Sequence, residues 1–566
     1  MKNIKILILT VMVVAIFVTS CKDSFLEVPP TGSLSSTELS TTAGLEGTLI
    51  GAYSMLLGRS GFFSDASNWL WGSIRGGEAN KGTNAGDQSQ VNEIQAYSAQ
   101  TNNGSVFEKY RATYEGVARA NAVLKLVAVA QEDVSEQDKT RISAEARFLR
   151  GHYYFDLKRN FNNTPYVDEN WDEVAPIGND KNLFDAIEID FQFAYDNLPE
   201  TQGEAGRANK WAAGAYLGKV LLFQGKHAEA KVIFDAVIAS GVTANGQPYG
   251  LNPNYADAFR SPNDNSMESV FAVQAAAGTG DINNANAALV LNFPNGPGAP
   301  GGCCGFFQPS FELANSFRTN ASGLPLLDGS YNDAANELAT DQGMLSEDAF
   351  TLDAGNLDPR LDHSIGRRGI PYLDWGNHPG FNWIRDQPYA GPYAPKKFIY
   401  YQAGIGTEND GSSWTPGYTA VNYTVIRFAD VLLMAAECEA ELGNLDAAKD
   451  FVNIVRERAK ASALTDVDAN YVIESYSSFA NQTEAINAVR FERKLELSGE
   501  GHRLYDLVRW GIAASAINDY LGYENPKLSS PFSSATFEAN KDEYLPIPQN
   551  EIDLIGADIL KQNSGY

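Results

Sequence analysis

Residues 211–240 read WAAGAYLGKVLLFQGKHAEAKVIFDAVIAS, and the fold turns on this stretch. Ala213, Leu217 and Leu221 fall at helical spacing before Gly225, and Ala230, Phe234 and Val237 resume the spacing after it. A glycine at that point can end one helix in the left-handed conformation and let the chain reverse. Small side chains on the facing sides then let the two helices approach closely. Residues 429–455, ADVLLMAAECEAELGNLDAAKDFVNIV, repeat the arrangement around Gly443. Ala448 and Val452 stand five and nine residues beyond that glycine, as Ala230 and Phe234 do beyond Gly225.

That spacing is similar to a tetratricopeptide unit, in which stacked helix pairs bury a continuous core. Weaker helical runs occur at 106–130, 135–160 and 181–198, and another passes through Leu45, Leu49, Tyr53, Leu56 and Leu57. The expected fold class is therefore mainly α, a scaffold of tetratricopeptide-like helix pairs with long loop-rich insertions and a few short strands. Residues 242–426 form the largest insertion, rich in Gly, Pro, Asn, Asp and aromatics. Short strands are expected at Ser269–Val273 and Lys397–Tyr401. Between Asn292 and Gly305 stand Gly296, Gly298, Gly301, Gly302 and Gly305 with three prolines, which reads as a structured loop. Long loops on a rigid scaffold commonly carry function.

The chain has 566 residues, 43 of them basic and 70 acidic, for a formal charge of −27. Nucleic acid and anionic lipid surfaces repel such a chain, and no basic run offsets this, so nucleic acid is not an expected partner. Lys2 and Lys5 precede an apolar stretch from Ile6 to Val18, too short to span a bilayer but suited to a secretory signal. The following Thr19-Ser20-Cys21 resembles a bacterial lipobox. Residues 1–20 are thus expected to be a lipoprotein signal peptide, 21–40 the lipidated Cys21 and a tether, and 41–566 one helical domain. Cys438 lies in an apolar helical pattern and reads as a buried side chain. Cys303 and Cys304 are adjacent and could be reduced or joined as a vicinal disulfide.

Several ordered stretches carry a family resemblance. They are Ala144-Glu145-Ala146-Arg147-Phe148-Leu149-Arg150, Asp358-Pro359-Arg360-Leu361, the helix from Arg427 to Glu437, Arg503 to Gly511, Leu545-Pro546-Ile547-Pro548 and Gln562 to Tyr566. The chain resembles the SusD/RagB family of Bacteroidetes outer-membrane lipoproteins over nearly its whole mature length. The resemblance implies a cell-surface lipoprotein, facing the exterior, that captures a glycan as the lid of a SusC-like TonB-dependent importer. A peptide-binding lid of an oligopeptide importer, RagB-like, is the alternative, and a scaffold that binds nothing itself is a third reading. No cofactor, metal or catalytic residue is implied.

Aromatic platforms with a polar rim suit sugars, whose C–H faces stack on rings while hydroxyls meet amides and charges. The candidate ligand residues are Trp69, Trp71, Arg75, Glu78, Asn80, Lys81, Phe306, Phe307, Trp375 and Trp383, with one of Trp69 and Trp71 expected in the core and the other exposed. Tyr372, Phe381, Tyr389 and Tyr393 extend the cluster that holds Trp375 and Trp383, and Trp414 with Tyr418 forms a further loop cluster. Arg427, Asp430, Glu437, Arg503, Asp506 and Arg509 lie on helices and are expected to form buried ion pairs, and Asp358-Pro359-Arg360 a loop clamp. Zinc-protease, hydrolase-elbow and Walker signatures are missing. Asp466, Asp468 and Asn470 begin like a calcium loop, but Tyr471 and Ser477 stand where glycine and glutamate are required. The acidic composition is of the kind found in salt-adapted proteins and points toward a marine polysaccharide such as a β-glucan.

Overall fold

A computed structural model describes residues 36–58, 62–171, 175–529, 532 and 534–566. The signal peptide, Cys21 and most of the tether lie outside the described residues. The principal helices are α1 (Thr42–Tyr53), α2 (Gly104–Ala128), α3 (Glu136–Phe161), α4 (Leu183–Asn197), α5 (Lys210–Phe223) and α6 (His227–Ser240). After the insertion come α7 (Phe428–Glu441), α8 (Leu445–Ala461), α9 (Gln482–Glu496), α10 (Arg503–Arg509) and α11 (Ala513–Glu524). Asparagine caps start α2, α4, α5 and α9, the side-chain oxygen accepting from a backbone N–H of the first turn.

Helices α2 to α6 pack each on the next, and α7 packs on α6, α8 and α9. Gly225 and Gly443 take left-handed φ of 71° and 81° at the two reversals. The small residues do as their spacing implies. A Cβ on Gly218 would stand 2.5 Å from the Phe234 ring, so α5 and α6 touch through glycine and a phenyl group. Ala213, Ala230, Phe234, Val237, Ala448 and Val452 are all buried without residual exposure.

From Ser240 to Phe428 the longest helix among the described residues is Phe311–Ser316. Short antiparallel pairs tie the insertion to the scaffold. Strand β1 (Ala79–Gly82) pairs with β3 (Phe306–Pro309), and β2 (Ser269–Val273) pairs with β4 (Tyr423–Arg427), which runs straight into α7. The strand expected at Lys397–Tyr401 is not one. Phe398 has a φ of +63°, which breaks an extended run and turns its ring into the core beside Tyr423.

Charged groups penetrate the core where α7, α8 and α9 meet the insertion. Arg427 bonds Glu268, Glu496 and Glu500; Arg458 bonds Glu268 and Glu496; Arg360 bonds Asp358, Glu492 and Glu496; Arg456 bonds Glu492; and Lys397 bonds Glu500. A second group joins Asp430 to Lys219 and Arg493, Asp506 to Arg493 and Arg509, and Arg509 to Glu437. The expected helix pairs and the Asp358–Arg360 clamp are thus present. Arg503 departs from the expectation, being half-buried and making no ion pair among the described residues.

Glu524 stands apart from these networks. Its carboxyl is fully buried at the end of α11, and one oxygen accepts from the Glu312 amide at 2.8 Å. Burial first, and the nearby Glu312 carboxylate after it, push its pKa up to about 8. A raised carboxyl pKa means that the native state holds the proton longer than the unfolded chain does. Stability from this group is therefore present at low pH and declines as pH rises from about 4.5 through 8. Glu524→Gln is expected to leave the melting temperature unchanged at pH 5 and to raise it at pH 9, by an amount equivalent to about 2–4 kcal/mol. Thermal melts of both chains at the two pH values check this; a variant less stable at pH 9 would contradict it.

Candidate functional site

Most of the sequence-derived ligand residues lie in the interior, which corrects the expected surface platform. Residues Trp69–Ile74 form a single π-helical turn in which all six residues are buried. Its backbone meets the 499–502 loop so closely that a Cβ on Gly72 would lie 1.9 Å from the Gly501 carbonyl oxygen. Both tryptophans therefore face inward. Trp69 donates from Nε1 to the Phe62 and Ala288 carbonyls, and Trp71 donates to the Phe63 carbonyl. Arg75 donates to the Asp542 carbonyl, Asn80 to the Ala390 carbonyl, and Lys81 to the Asn84 and Asp87 carbonyls. Glu78 accepts from the Gly499 amide, and burial pushes its carboxyl up to about 7. Phe306 is wholly buried in β3, and Phe307 and Trp383 nearly so. Trp375 is half-buried, with Nε1 bonded to the Tyr400 carbonyl. The polar groups named here are engaged by the protein's own backbone and position loops.

What these residues hold up is a surface face. Trp414 is 55% exposed. Its ring meets Phe62 edge-on at 6.3 Å and Tyr418 at 6.2 Å, and its Nε1 donates to the Tyr418 hydroxyl at 3.0 Å. The neighbouring Thr415 hydroxyl donates to the Gly301 carbonyl at 2.7 Å, which brings the glycine-rich loop alongside. Four residues on, at the other end of that loop, Gly305 lies beside Arg385 and Asn295, and its carbonyl accepts from the Thr83 amide. Arg385 there donates to Asp87 at 2.7 Å and to the Thr83 hydroxyl at 2.8 Å, and both ends of this ion pair are about one-third exposed.

The face thus runs from an aromatic group at Phe62, Trp414 and Tyr418, across residues 301–305, to the Arg385–Asp87 pair. Four residues of chain span at most about 14 Å, which bounds the separation of the two anchors, Gly301 and Gly305. Cys303 and Cys304, left open by the sequence, are joined as a disulfide in the middle. Of these residues, Trp414 and Tyr418 were visible as a loop cluster in the sequence. Phe62, Asp87 and Arg385 were not, because nothing local marks them and the fold brings them together from positions up to about 350 residues apart.

A second concavity of about 480 Å³ lies between α2, residues 165–171 and 175–177 and the C-terminal segment, walled by Tyr110, Tyr114, Trp171 and Leu554. The Tyr114 hydroxyl and the Trp171 Nε1 are bonded to the Pro165 and Ala175 carbonyls, so its walls are largely apolar. Among the described residues no group of three His, Cys, Asp or Glu side chains is placed to hold a metal, and no helix is long and apolar enough to cross a membrane.

Comparison with known proteins agrees with this architecture. The family model described as "SusD family" matches residues 267–566, more than half of the chain, and "Starch-binding associating with outer membrane" matches residues 25–222. The chain belongs to the SusD family. SusD-like protein P25 of Formosa agariphila is 27% identical over 524 residues, covering 88% of this chain and 89% of that one. A solved laminarin-binding SusD-like protein matches with a TM-score of 0.66 and 24% identity, over 93% of this chain and 99% of that one. Surface glycan-binding protein A from Bacteroides thetaiotaomicron, solved with laminarihexaose, matches with a TM-score of 0.62 and 20% identity, over 92% and 99%. At these identities the two solved structures speak for the fold.

Proposed function

We propose that this chain captures an oligo- or polysaccharide at the cell surface and acts as the lid of a SusC-like TonB-dependent importer. The observation that carries the reading is the exposed Trp414 ring, flanked by Phe62 and Tyr418 and followed across one loop by the Arg385–Asp87 pair. Rings of this kind stack on the C–H faces of pyranoses, and a half-exposed guanidinium–carboxylate pair offers donors and acceptors to their hydroxyls. Family membership supports the ligand class, and the laminarin-binding SusD-like relative makes a β-glucan the first glycan to try. In this reading Cys21 carries the lipid, residues 21–40 are the tether, residues 41–566 are the lid, and the outer membrane is the site of action. The chain binds and does not cleave.

The test is a titration of the full chain with laminarihexaose, other neutral and anionic polysaccharides and a peptide mixture, by affinity electrophoresis and then calorimetry. Saturable binding of one glycan, with no hydrolysis products after prolonged incubation, is the expected result. Binding of peptide alone would favour the oligopeptide-importer reading, for which the apolar groove at Tyr114, Trp171 and Leu554 is the better-suited surface. Release of shorter sugars would make the chain an enzyme.

A further inference from the structure

The Cys303–Cys304 bridge lies at the centre of the proposed glycan face, and its position says what it does. A disulfide stabilises a fold chiefly by closing a loop in the unfolded chain, and its effect grows with the length of that loop. Adjacent cysteines close the shortest loop possible, so this bridge does little to restrain the unfolded chain. Its influence has to be local. It lies between two anchored points: Gly301, whose carbonyl accepts from Thr415 and whose amide donates to the Tyr400 hydroxyl, and Gly305, whose carbonyl accepts from Thr83 and whose amide donates to the Phe293 carbonyl.

Between those anchors the backbone is uncommitted. Among the described residues, no protein group accepts from the N–H of Gly302, Cys303 or Cys304. Gly302 is exposed, Cys303 half-buried and Cys304 buried, so the bridge leads from the surface into the core. Gly301 and Gly302 both take positive φ, a shape open to many alternatives in a glycine pair unless something fixes it. The flanking Trp414 and Arg385 are each within one residue of a contact with this segment's anchors. The segment therefore places an exposed glycine and a half-buried end of the disulfide, with backbone N–H groups that no protein group engages, between an aromatic platform and an ion pair.

We propose that the Cys303–Cys304 disulfide locks residues 301–305 into the shape that meets the ligand, so that the bridge is an element of the binding face and makes affinity depend on its oxidation state. This rests on the glycan-binding reading of that face. Reduction by a dithiol breaks one protein S–S bond, leaves two protein thiols and forms the cyclic disulfide of the reagent, so two hydrogens pass from reagent to protein. The thiols free the loop to take other conformations, and the shape held between the two anchors is lost.

The test compares the full chain with and without excess dithiothreitol, the state of the bridge being read by thiol titration. Cys438, buried in α7, stays unreactive in the native protein and serves as an internal control. Without glycan, exchange of the Gly301 and Gly305 amides, the two in this segment that have acceptors, and of residues 414–418 is expected to speed up at least tenfold on reduction, with helices at 210–240 and 428–461 unchanged and the melting temperature held within about 2 °C. With the glycan found by titration, Kd is expected to rise at least tenfold, and Cys303→Ser/Cys304→Ser is expected to bind like the reduced protein and ignore the reductant. Unchanged loop exchange, an unchanged Kd, or loss of protection across the helix pairs would each overturn the proposal. If the oxidised protein binds no glycan, the capture reading fails, and the exchange measurement alone decides whether the bridge is a local lock.

Discussion

Replacing Arg427 with methionine is expected to cost about 3–5 kcal/mol of stability, more than any surface change could. The guanidinium is buried at the start of α7 and donates to three carboxylates, Glu268, Glu496 and Glu500, at 2.6–2.8 Å, and to the Glu496 carbonyl. Burial alone would favour a neutral group; the three carboxylates outweigh it and hold the pKa well above the ordinary value. The connected cluster contains Arg360, Lys397, Arg427, Arg456 and Arg458 against Glu268, Asp358, Glu492, Glu496 and Glu500, five cations and five anions. Methionine leaves one negative charge without a partner in the interior. That charge can be relieved only by a proton, so one carboxyl of the variant should titrate high. By the linkage argument the deficit grows as pH rises above the ordinary carboxylate range and shrinks toward pH 5. Denaturant unfolding at pH 5 and pH 8 measures it. Adding Glu500→Gln should recover part of the loss, because the pair is removed together; strict additivity of the two losses would show that they do not share a network. A loss below about 1 kcal/mol would mean that water reaches the cluster.

That cluster also explains why the fold was legible and the site was not. Helix pairs announce themselves through local spacing: Gly225 and Gly443 with small residues five positions on need no distant information. The Arg427–Glu437 helix could likewise be read as structural, because charges on an otherwise apolar helix have nowhere to go but inward. Binding residues obey a different logic. Trp69 and Trp71 look like a platform in sequence, yet their exposure depends on the 499–502 loop, more than 400 residues away, pressing on Gly72. Arg75, Glu78, Asn80 and Lys81 show the same effect, their polar ends taken up by distant backbone groups. Trp414 differs in its surroundings, Gly411-Ser412-Ser413 before it and Thr415-Pro416-Gly417 after it, which offer no apolar neighbours to bury it with. A lone large aromatic among small polar residues was the better local signal of exposure, and composition around the residue said more about it than the residue itself.

Trp414→Ala is expected to weaken binding of the captured glycan about 30-fold or more while leaving the melting temperature unchanged. The magnitude follows from truncating a central aromatic contact, which costs about 2 kcal/mol or more at an interface. The unchanged stability follows from exposure, since the ring lies over half in solvent and its aromatic partners among the described residues are Phe62 and Tyr418. Trp71→Ala should do the reverse, losing about 3–5 kcal/mol of stability because the ring is wholly buried, with affinity retained by whatever fraction stays folded. The pair of variants separates a platform residue from a core residue by two readouts, calorimetric titration and thermal unfolding. Arg385→Gln tests the far end of the face: it removes the charge beside Asp87, keeps a donor, and should cost less than the loss of the Trp414 ring. If Trp414→Ala and Arg385→Gln together cost the sum of their separate effects, the ligand bridges two independent contacts. A smaller combined cost would mean that losing either end already releases the ligand from the 301–305 segment between them. Full affinity in Trp414→Ala would remove the aromatic group from the site altogether.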